Sequence, residues 1–297
     1  MTDVKIAGAP ISWGVCEVPG WGRVLDPSTV LGEMARLGLA ATELGPPGYL
    51  PEEPAELRAL LDRHGLELVG GFLAAVLHDH DHVWSTMDDA AEVVELFAAV
   101  GAEVLVLAAA TGRDGYDARP ELSDEQWRTL IETAAQIRDL GARHGLRTVL
   151  HPHVGTHVET TAEVERFLAD SDLALCLDTG HLLIGGTDPV ELAARYPSRI
   201  GHVHLKDVRT AVADLVRAGR ISYTHAVGSG LYAPLGDGDV DVPALVHLLH
   251  RAGYTGWYVL EQDTALSAES TSDDDRPRRD VERSLAHLTA TLQLNNR

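Results

Sequence analysis

The sequence predicts an α/β fold, a (β/α)8 TIM barrel. Three observations predict it. Eight short and mostly continuous apolar runs recur along the chain, as parallel strands buried on both faces require. Helical patterns separate these runs. No glycine-rich phosphate fingerprint follows the first run, which argues against an open doubly wound sheet.

The first run, VKIAGAPISW (4–13), leads to the helical pattern STVLGEMARLG (28–38), with Ser28 as a candidate cap and Gly38 as the stop. AATEL (40–44) and EPAELRALLDRHG (53–65) follow, then LELVGGFLA (66–74) and MDDAAEVVELFAAVG (87–101). EVLVLAA (103–109) precedes the long pattern at 123–145, and RTVLHPH (147–153) precedes TAEVERFLAD. The first four helical patterns end in glycine, the residue best suited to a left-handed C-cap. LALCLDTGH (173–181) leads to PVELAARYP, and IGHVHLKDV (200–208) is the seventh strand. VDVPALVHLLHRAG then returns to GWYVLEQ (256–262). The polar, mobile-looking stretch SAESTSDDDRPRRD separates that strand from a terminal helix at about 280–294. No Pro/Ser-rich linker divides the chain, so a single domain over 1–297 is expected.

The net charge is −21, from 24 basic and 45 acidic residues, and such a surface repels phosphate backbones. A nucleic-acid partner is therefore not expected. The two cysteines, Cys16 and Cys176, lie far apart in apolar stretches and read as reduced thiols. There is no signal-peptide pattern and no apolar run near the roughly 20 residues that cross a bilayer. A soluble cytoplasmic protein without a membrane partner is the expectation, with a homo-oligomer left open. Lys5 and Lys206 are the only lysines, which singles out Lys206 because lysine is a compact, tunable charge.

A TIM barrel carries its site at the C-terminal ends of its strands. Nearly every run places a polar group there: Ser12 and Trp13, Glu43, the LHDHDH stretch with His78 nearest the strand, Thr111, His151 and His153. Asp178, His181, His202, His204, Lys206 and Glu261 complete the ring. Side chains alternate along a strand, so His202, His204 and Lys206 share one face, as do His151 and His153. Burying Asp178 and Glu261 costs several kcal/mol per ion unless something compensates. A divalent cation among imidazoles and carboxylates compensates, and this N/O set suits Mn2+, Co2+, Fe2+ or Zn2+. Read one residue at a time, each group has an ordinary role: Asp178 as a helix cap, Lys206 in an ion pair with Glu261 or Asp207, Trp13 in the core, LHDHDH as a solvated lid.

CLDTGH, GHVHLKDV and YVLEQD, in that order, resemble the xylose-isomerase-like barrels of sugar isomerases, epimerases and dehydratases. APISWGVCEVPGWG, TELGPPGYLP, LVGGFLAAVLHD and APLGDGDVD narrow the resemblance to the inosose dehydratase group, over about 4–263. In that wider family Glu, Asp, His and Glu from strands five to eight hold a divalent metal. Asp178, His204 and Glu261 match the last three, and His151 stands where the fifth-strand Glu is usual. The resemblance thus implies a metal site of His151, Asp178, His204 and Glu261, with Mn2+ or Co2+ ahead of Zn2+ or Fe2+.

It also implies a hydro-lyase acting on a cyclic keto-polyol or keto-sugar, such as 2-keto-myo-inositol. A base takes the proton α to the ketone and the β-hydroxyl leaves as water. Lys206, His181 and Glu43 are the expected catalytic groups; Trp13, His78, His153 and His202 are expected to meet substrate. Glu43, His151, His153, His181 and Lys206 all remain candidates for acid or base. The rival readings are a metal-dependent epimerase or isomerase and a β-eliminating lyase on 3-keto-glycosides.

Overall fold

The computed structural model describes residues 4–16, 18, 20–267 and 275–294. The barrel strands are β1 (Lys5–Gly8), β2 (Ala41–Glu43), β3 (Glu67–Ala75), β4 (Val104–Ala109), β5 (Arg147–Leu150), β6 (Ala174–Asp178), β7 (Ile200–Leu205) and β10 (Trp257–Leu260). They close in the order β1-β10-β7-β6-β5-β4-β3-β2, every neighbouring pair parallel. The remaining strands, β8 (Asp207–Val208) and β9 (Tyr232–Ala233), form an antiparallel pair outside the barrel.

The surrounding helices are α1 (Pro27–Arg36), α2 (Pro54–His64), α3 (Val83–Val100), α4 (Asp124–Arg143), α5 (Thr161–Asp170), α6 (Thr179–Ile184) and α7 (Pro189–Arg195). After β7 come α8 (Thr210–Arg217), α9 (Tyr223–Gly228) and α10 (Val242–Arg251), and α11 (Arg276–Leu294) ends the described chain. Local chemistry sets the boundaries. Ser123 and Gln126 form a reciprocal capping box on α4, and Gly65 and Gly101 take left-handed φ values of 65° and 82° at the ends of α2 and α3. The cap of α1 is Asp26, whose carboxylate accepts from Ser28 N, so Ser28 is inside the helix rather than its cap. Of the polar stretch 267–280, residues 268–274 lie outside the described residues, and Arg276–Asp280 belongs to the start of α11, so the terminal helix begins earlier than the expected 280.

Several expected strands are shorter in the structure, each for a stated reason. Pro10 opens a 3-10 turn, Pro10–Trp13, so β1 stops at Gly8. Pro152 has no N–H to give a ladder, and β5 stops at Leu150. Asp178 ends β6 because its side chain accepts from Gly180 N and His181 N and starts α6. β7 ends at Leu205, and Asp207–Val208 turns away to pair with Tyr232–Ala233.

The segment from Asp207 to Asp241 was not legible as regular structure in the sequence. It builds a small core of its own around Val208, Ala213, Tyr223, Ala226 and Leu231, joined by Trp21 and Val154. Asp207 ties its ends together. Its buried carboxylate accepts from the backbone N–H groups of Val208, Val240, Gly236 and Gly238. Asp207→Ala is expected to cost about 3 kcal/mol of unfolding free energy, read by urea denaturation. An unchanged midpoint would show that the segment holds without it. Among the described residues Cys16 and Cys176 form no disulfide, and no helix is long and apolar enough to cross a membrane.

Candidate active site

Alternation along the strands lifts the polar residues one layer above an apolar floor. Ala41, Val149, Cys176 and Val259 belong to the barrel's inner core, and Glu43, His151, Asp178 and Glu261 stand two residues further on. Register aligns them across strands: Cys176 is opposite His202, and Asp178 and Val259 are both opposite His204. The intervening Leu150, Leu177, Val203 and Leu205 pack outward against the helices. Above the polar layer opens a cavity of about 610 Å3, walled in part by Glu43, His151, His153, His204, Lys206, Glu261 and Asp263.

Asp178 is fully buried and divides its carboxylate between two tasks. Oδ1 accepts from Gly180 N at 2.8 Å and His181 N at 2.9 Å, the cap of α6. Oδ2 faces His151 Nε2 at 3.2 Å, Lys206 Nζ at 3.5 Å and His204 Nδ1 at 3.6 Å. Asp178 therefore serves both readings that the sequence left open, helix cap and charged member of the site.

Glu43 sets the orientation of His204. Its Oε1 accepts from His202 Nε2 at 2.9 Å and His204 Nε2 at 3.1 Å, so both of those nitrogens carry the proton. His204 then turns Nδ1 towards Glu261 Oε2 at 3.1 Å, and this buried nitrogen makes no hydrogen bond. A nitrogen so flanked by two carboxylates suits a cation-binding set held by a carboxylate behind the ring. Asp178, His204 and Glu261 each offer one ligand atom within 4.8 Å of the others, and His151, Asp178 and His181 form a second, overlapping set. The residues present thus fit a divalent metal, with Asp178 shared between the two sets.

Lys206 is 3% exposed and lies among three carboxylates: Asp263 Oδ1 at 2.6 Å, Glu261 Oε2 at 3.1 Å and Asp178 Oδ2 at 3.5 Å. Burial alone would lower its pKa, but these three charges hold it well above the usual lysine value. Its partners are Glu261, Asp178 and Asp263, and Asp207 is engaged elsewhere. Behind it, Asp263 Oδ2 accepts from Tyr223 Oη at 2.6 Å, and Tyr223 Oη lies 2.8 Å from Tyr232 Oη. Gly180 makes room for this group, since a Cβ there would lie 2.8 Å from Lys206 Cβ and 2.9 Å from Tyr232 Cε1.

The structure separates the remaining expected substrate contacts. His153 is on the cavity wall, its ring centroid 3.7 Å from that of His181 with the planes tilted by 35°. Its Nδ1 donates to Val154 O at 2.7 Å, which leaves Nε2 as acceptor. Burial, with His151 and Lys206 nearby, pushes its pKa down to about 3, so the ring is neutral near pH 7. His181 lies behind it, with Nε2 3.1 Å from Lys206 Nζ. His202 is fully buried beneath Glu43 and supports that carboxylate instead of reaching the cavity.

Trp13 and His78 are displaced from their expected positions. Trp13 is fully buried in the main core and donates Nε1 to Glu33, because the turn at Pro10 swings it away from the strand direction. Trp21 and Tyr116 stand on the cavity wall instead. His78 packs edge-on against His157, with ring centroids 4.3 Å apart, outside the cavity wall. Asp263, Tyr223 and Tyr232 were missed in the sequence. Parity could have found Asp263, two residues beyond Glu261; no local pattern points to the tyrosines.

Charge makes the site sensitive to acid. Burial would raise Glu261, yet His204 and Lys206 pull its carboxyl down to about 2. Burial also opposes ionised Asp178, and Lys206 with His181 holds it well below the carboxylate range. A folded pKa depressed in this way stabilises the fold above the unfolded value, about 4, and is lost as pH falls through the folded value. Thermal melts are therefore expected to fall steeply between about pH 4 and about pH 2, and Glu261→Gln to soften that fall. A Gln variant with an identical acid limb would remove Glu261 from this account.

Comparison with known proteins finds similarity over nearly the whole chain. A family model described as the xylose isomerase-like TIM barrel matches residues 31–291. An inosose dehydratase of Geobacillus kaustophilus (strain HTA426) is 36% identical over 276 residues, 89% of this chain and 89% of its own. The rhizopine catabolism protein MocC of Rhizobium meliloti is 36% identical over 271 residues, 89% of this chain and 82% of its own. In fold, the chain is similar to the crystal structure of a D-allulose 3-epimerase from Methylomonas sp., with a TM-score of 0.70 at 17% identity, covering 98% of this chain and 99% of that one.

Proposed function

The chain belongs to the xylose isomerase-like TIM barrel family, and from that premise we propose that it is a metal-dependent hydro-lyase acting on a cyclic keto-polyol, with 2-keto-myo-inositol as its substrate. The observation that carries the reading is the 36% identity to an inosose dehydratase over 89% of both chains. The geometry supports it, because the polar groups converge on one end of one cavity.

In this reading Asp178, His204 and Glu261 hold a divalent cation, Mn2+ or Co2+, with His151 beside Asp178. When bound, that ion supplies Lewis acidity towards the ketone oxygen and its neighbouring hydroxyl. The chain's own groups divide the proton transfers. Lys206, charged and aimed into the cavity, gives a proton to the departing β-hydroxyl. Glu43 and His153 are the wall acceptors available for the α-proton, Glu43 from the side of β2 and His153 from the side of β5. His181 acts on Lys206 by fixing its ammonium. Such acid–base groups contribute about 10²–10⁴-fold each in rate.

The test is incubation of protein reloaded with Mn2+ or Co2+ with 2-keto-myo-inositol, read by mass spectrometry. Loss of one water, abolished by a chelator, is the expected result. Scrambled hydroxyl stereochemistry without water loss would make the protein an epimerase instead.

A further inference from the structure

The cavity is larger, and more apolar at one end, than a free keto-cyclitol requires. β2 ends at Glu43, and its last register partner on β3 is Gly70. Leu44 N still donates to Gly70 O at 2.9 Å, but from Gly71 to Ala75 the β3 ladder runs to β4 alone. The barrel wall is therefore open on the β2 side of β3. The cavity enters this opening as an arm between the loop after β2 and helix α3, lined by Leu44, Pro46, Phe72, Leu73, Val93 and Leu96. All six are half-buried, so each keeps apolar surface facing the arm.

The arm and the polar floor are one space, and Phe72 is where they meet. Its ring lies 5.7 Å from that of His151 and 5.5 Å from that of His153. A ring seated over the floor and bearing a substituent on this side would meet Phe72 first and the aliphatic walls next. The outer rim carries Glu52, Asp89 and Glu92, which repel a phosphate or carboxylate at the far end. At about 610 Å3 the whole cavity falls within the 300–1,000 Å3 or so that encloses a drug-sized ligand. A free keto-cyclitol, with hydroxyls all round its ring, offers only its ring C–H groups as apolar surface and has no substituent to place in the arm.

We propose that this arm is a substrate subsite for an uncharged apolar substituent of about benzyl size, carried on an oxygen of the keto-polyol ring. The proposal deepens the dehydratase reading and rests on it, because that reading seats the keto ring over the polar floor. It names a substrate class that is substituted and neutral, and it excludes ring phosphates.

Calorimetry of the metal-loaded full chain with 2-keto-myo-inositol and with its mono-O-benzyl ethers tests the subsite, while turnover of the unsubstituted compound is followed separately. At least one ether is expected to bind about tenfold or more tightly than the free compound, the gain from burying a ring-sized apolar group. Leu73→Trp, which enlarges a side chain lining the arm from β3, is expected to cut ether affinity about tenfold more than affinity for the free compound. Val93→Phe, which fills it from α3, repeats the test should the first variant fold poorly. Ethers that bind no better than the free compound, in protein that dehydrates the free compound, would overturn the subsite and leave the function standing. Ethers excluded from a protein that sediments as a dimer would also overturn it, giving the arm to a second copy of the chain. Tight ether binding without turnover of the unsubstituted compound would instead count against the dehydratase reading alone.

Discussion

Asp178→Asn is expected to leave the barrel folded and to remove both turnover and metal retention, each by at least about 10²-fold. The two halves of the expectation come from the two oxygens. Asparagine keeps an oxygen where Oδ1 accepts from Gly180 N and His181 N, so the start of α6 survives. It replaces Oδ2 with an amide nitrogen that points donors at Lys206 Nζ, His151 Nε2 and His204 Nδ1. One of those is a cation, and both imidazole nitrogens lose the carboxylate between them. The checks are the water-loss assay, metal content after gel filtration and a thermal melt. A variant that melts like the parent and still dehydrates would take the metal centre away from the sixth strand.

Lys206→Met has the second large effect, and it differs in kind. Methionine matches the length of the aliphatic stem but removes the only ammonium among the described residues that faces Asp178, Glu261 and Asp263. Breaking a buried ion pair from one side leaves uncompensated charge and costs about 3–5 kcal/mol. Lysine's raised pKa means that its stabilisation is fully present below about pH 10.4 and is lost only as pH rises through the folded value. The loss in the variant should therefore appear across the neutral range.

A divalent ion held at the proposed site would offset part of that loss, since Asp178 and Glu261 belong to both the lysine's surroundings and the candidate metal set. Scanning calorimetry with and without Mn2+ should show a larger metal-induced rise in Tm for Lys206→Met than for the parent. Turnover should fall by about 10²–10⁴-fold if Lys206 protonates the leaving hydroxyl. Full activity would end that role. Equal metal-induced shifts would mean that the lysine and the metal do not share carboxylates.

The sequence by itself determined the barrel and the layer in which its polar groups lie. Strand period alone puts His202, His204 and Lys206 on one face and carries Val149 to His151, Cys176 to Asp178 and Val259 to Glu261. That is possible because alternation in a strand is local and needs no knowledge of its neighbours. Only the tertiary structure decided which of these groups meet. Glu43 reaches His202 and His204 across 159 and 161 residues of chain, and Tyr223 reaches Asp263 from the segment between β7 and α10. Strand stagger and loop paths set such contacts, and neither is written in a local pattern. The same holds for Trp13: one proline turns it into the core, and Trp21 takes a place on the cavity wall. The apolar arm follows from how far β3 outruns β2, a difference in length that has meaning only once the two strands are side by side.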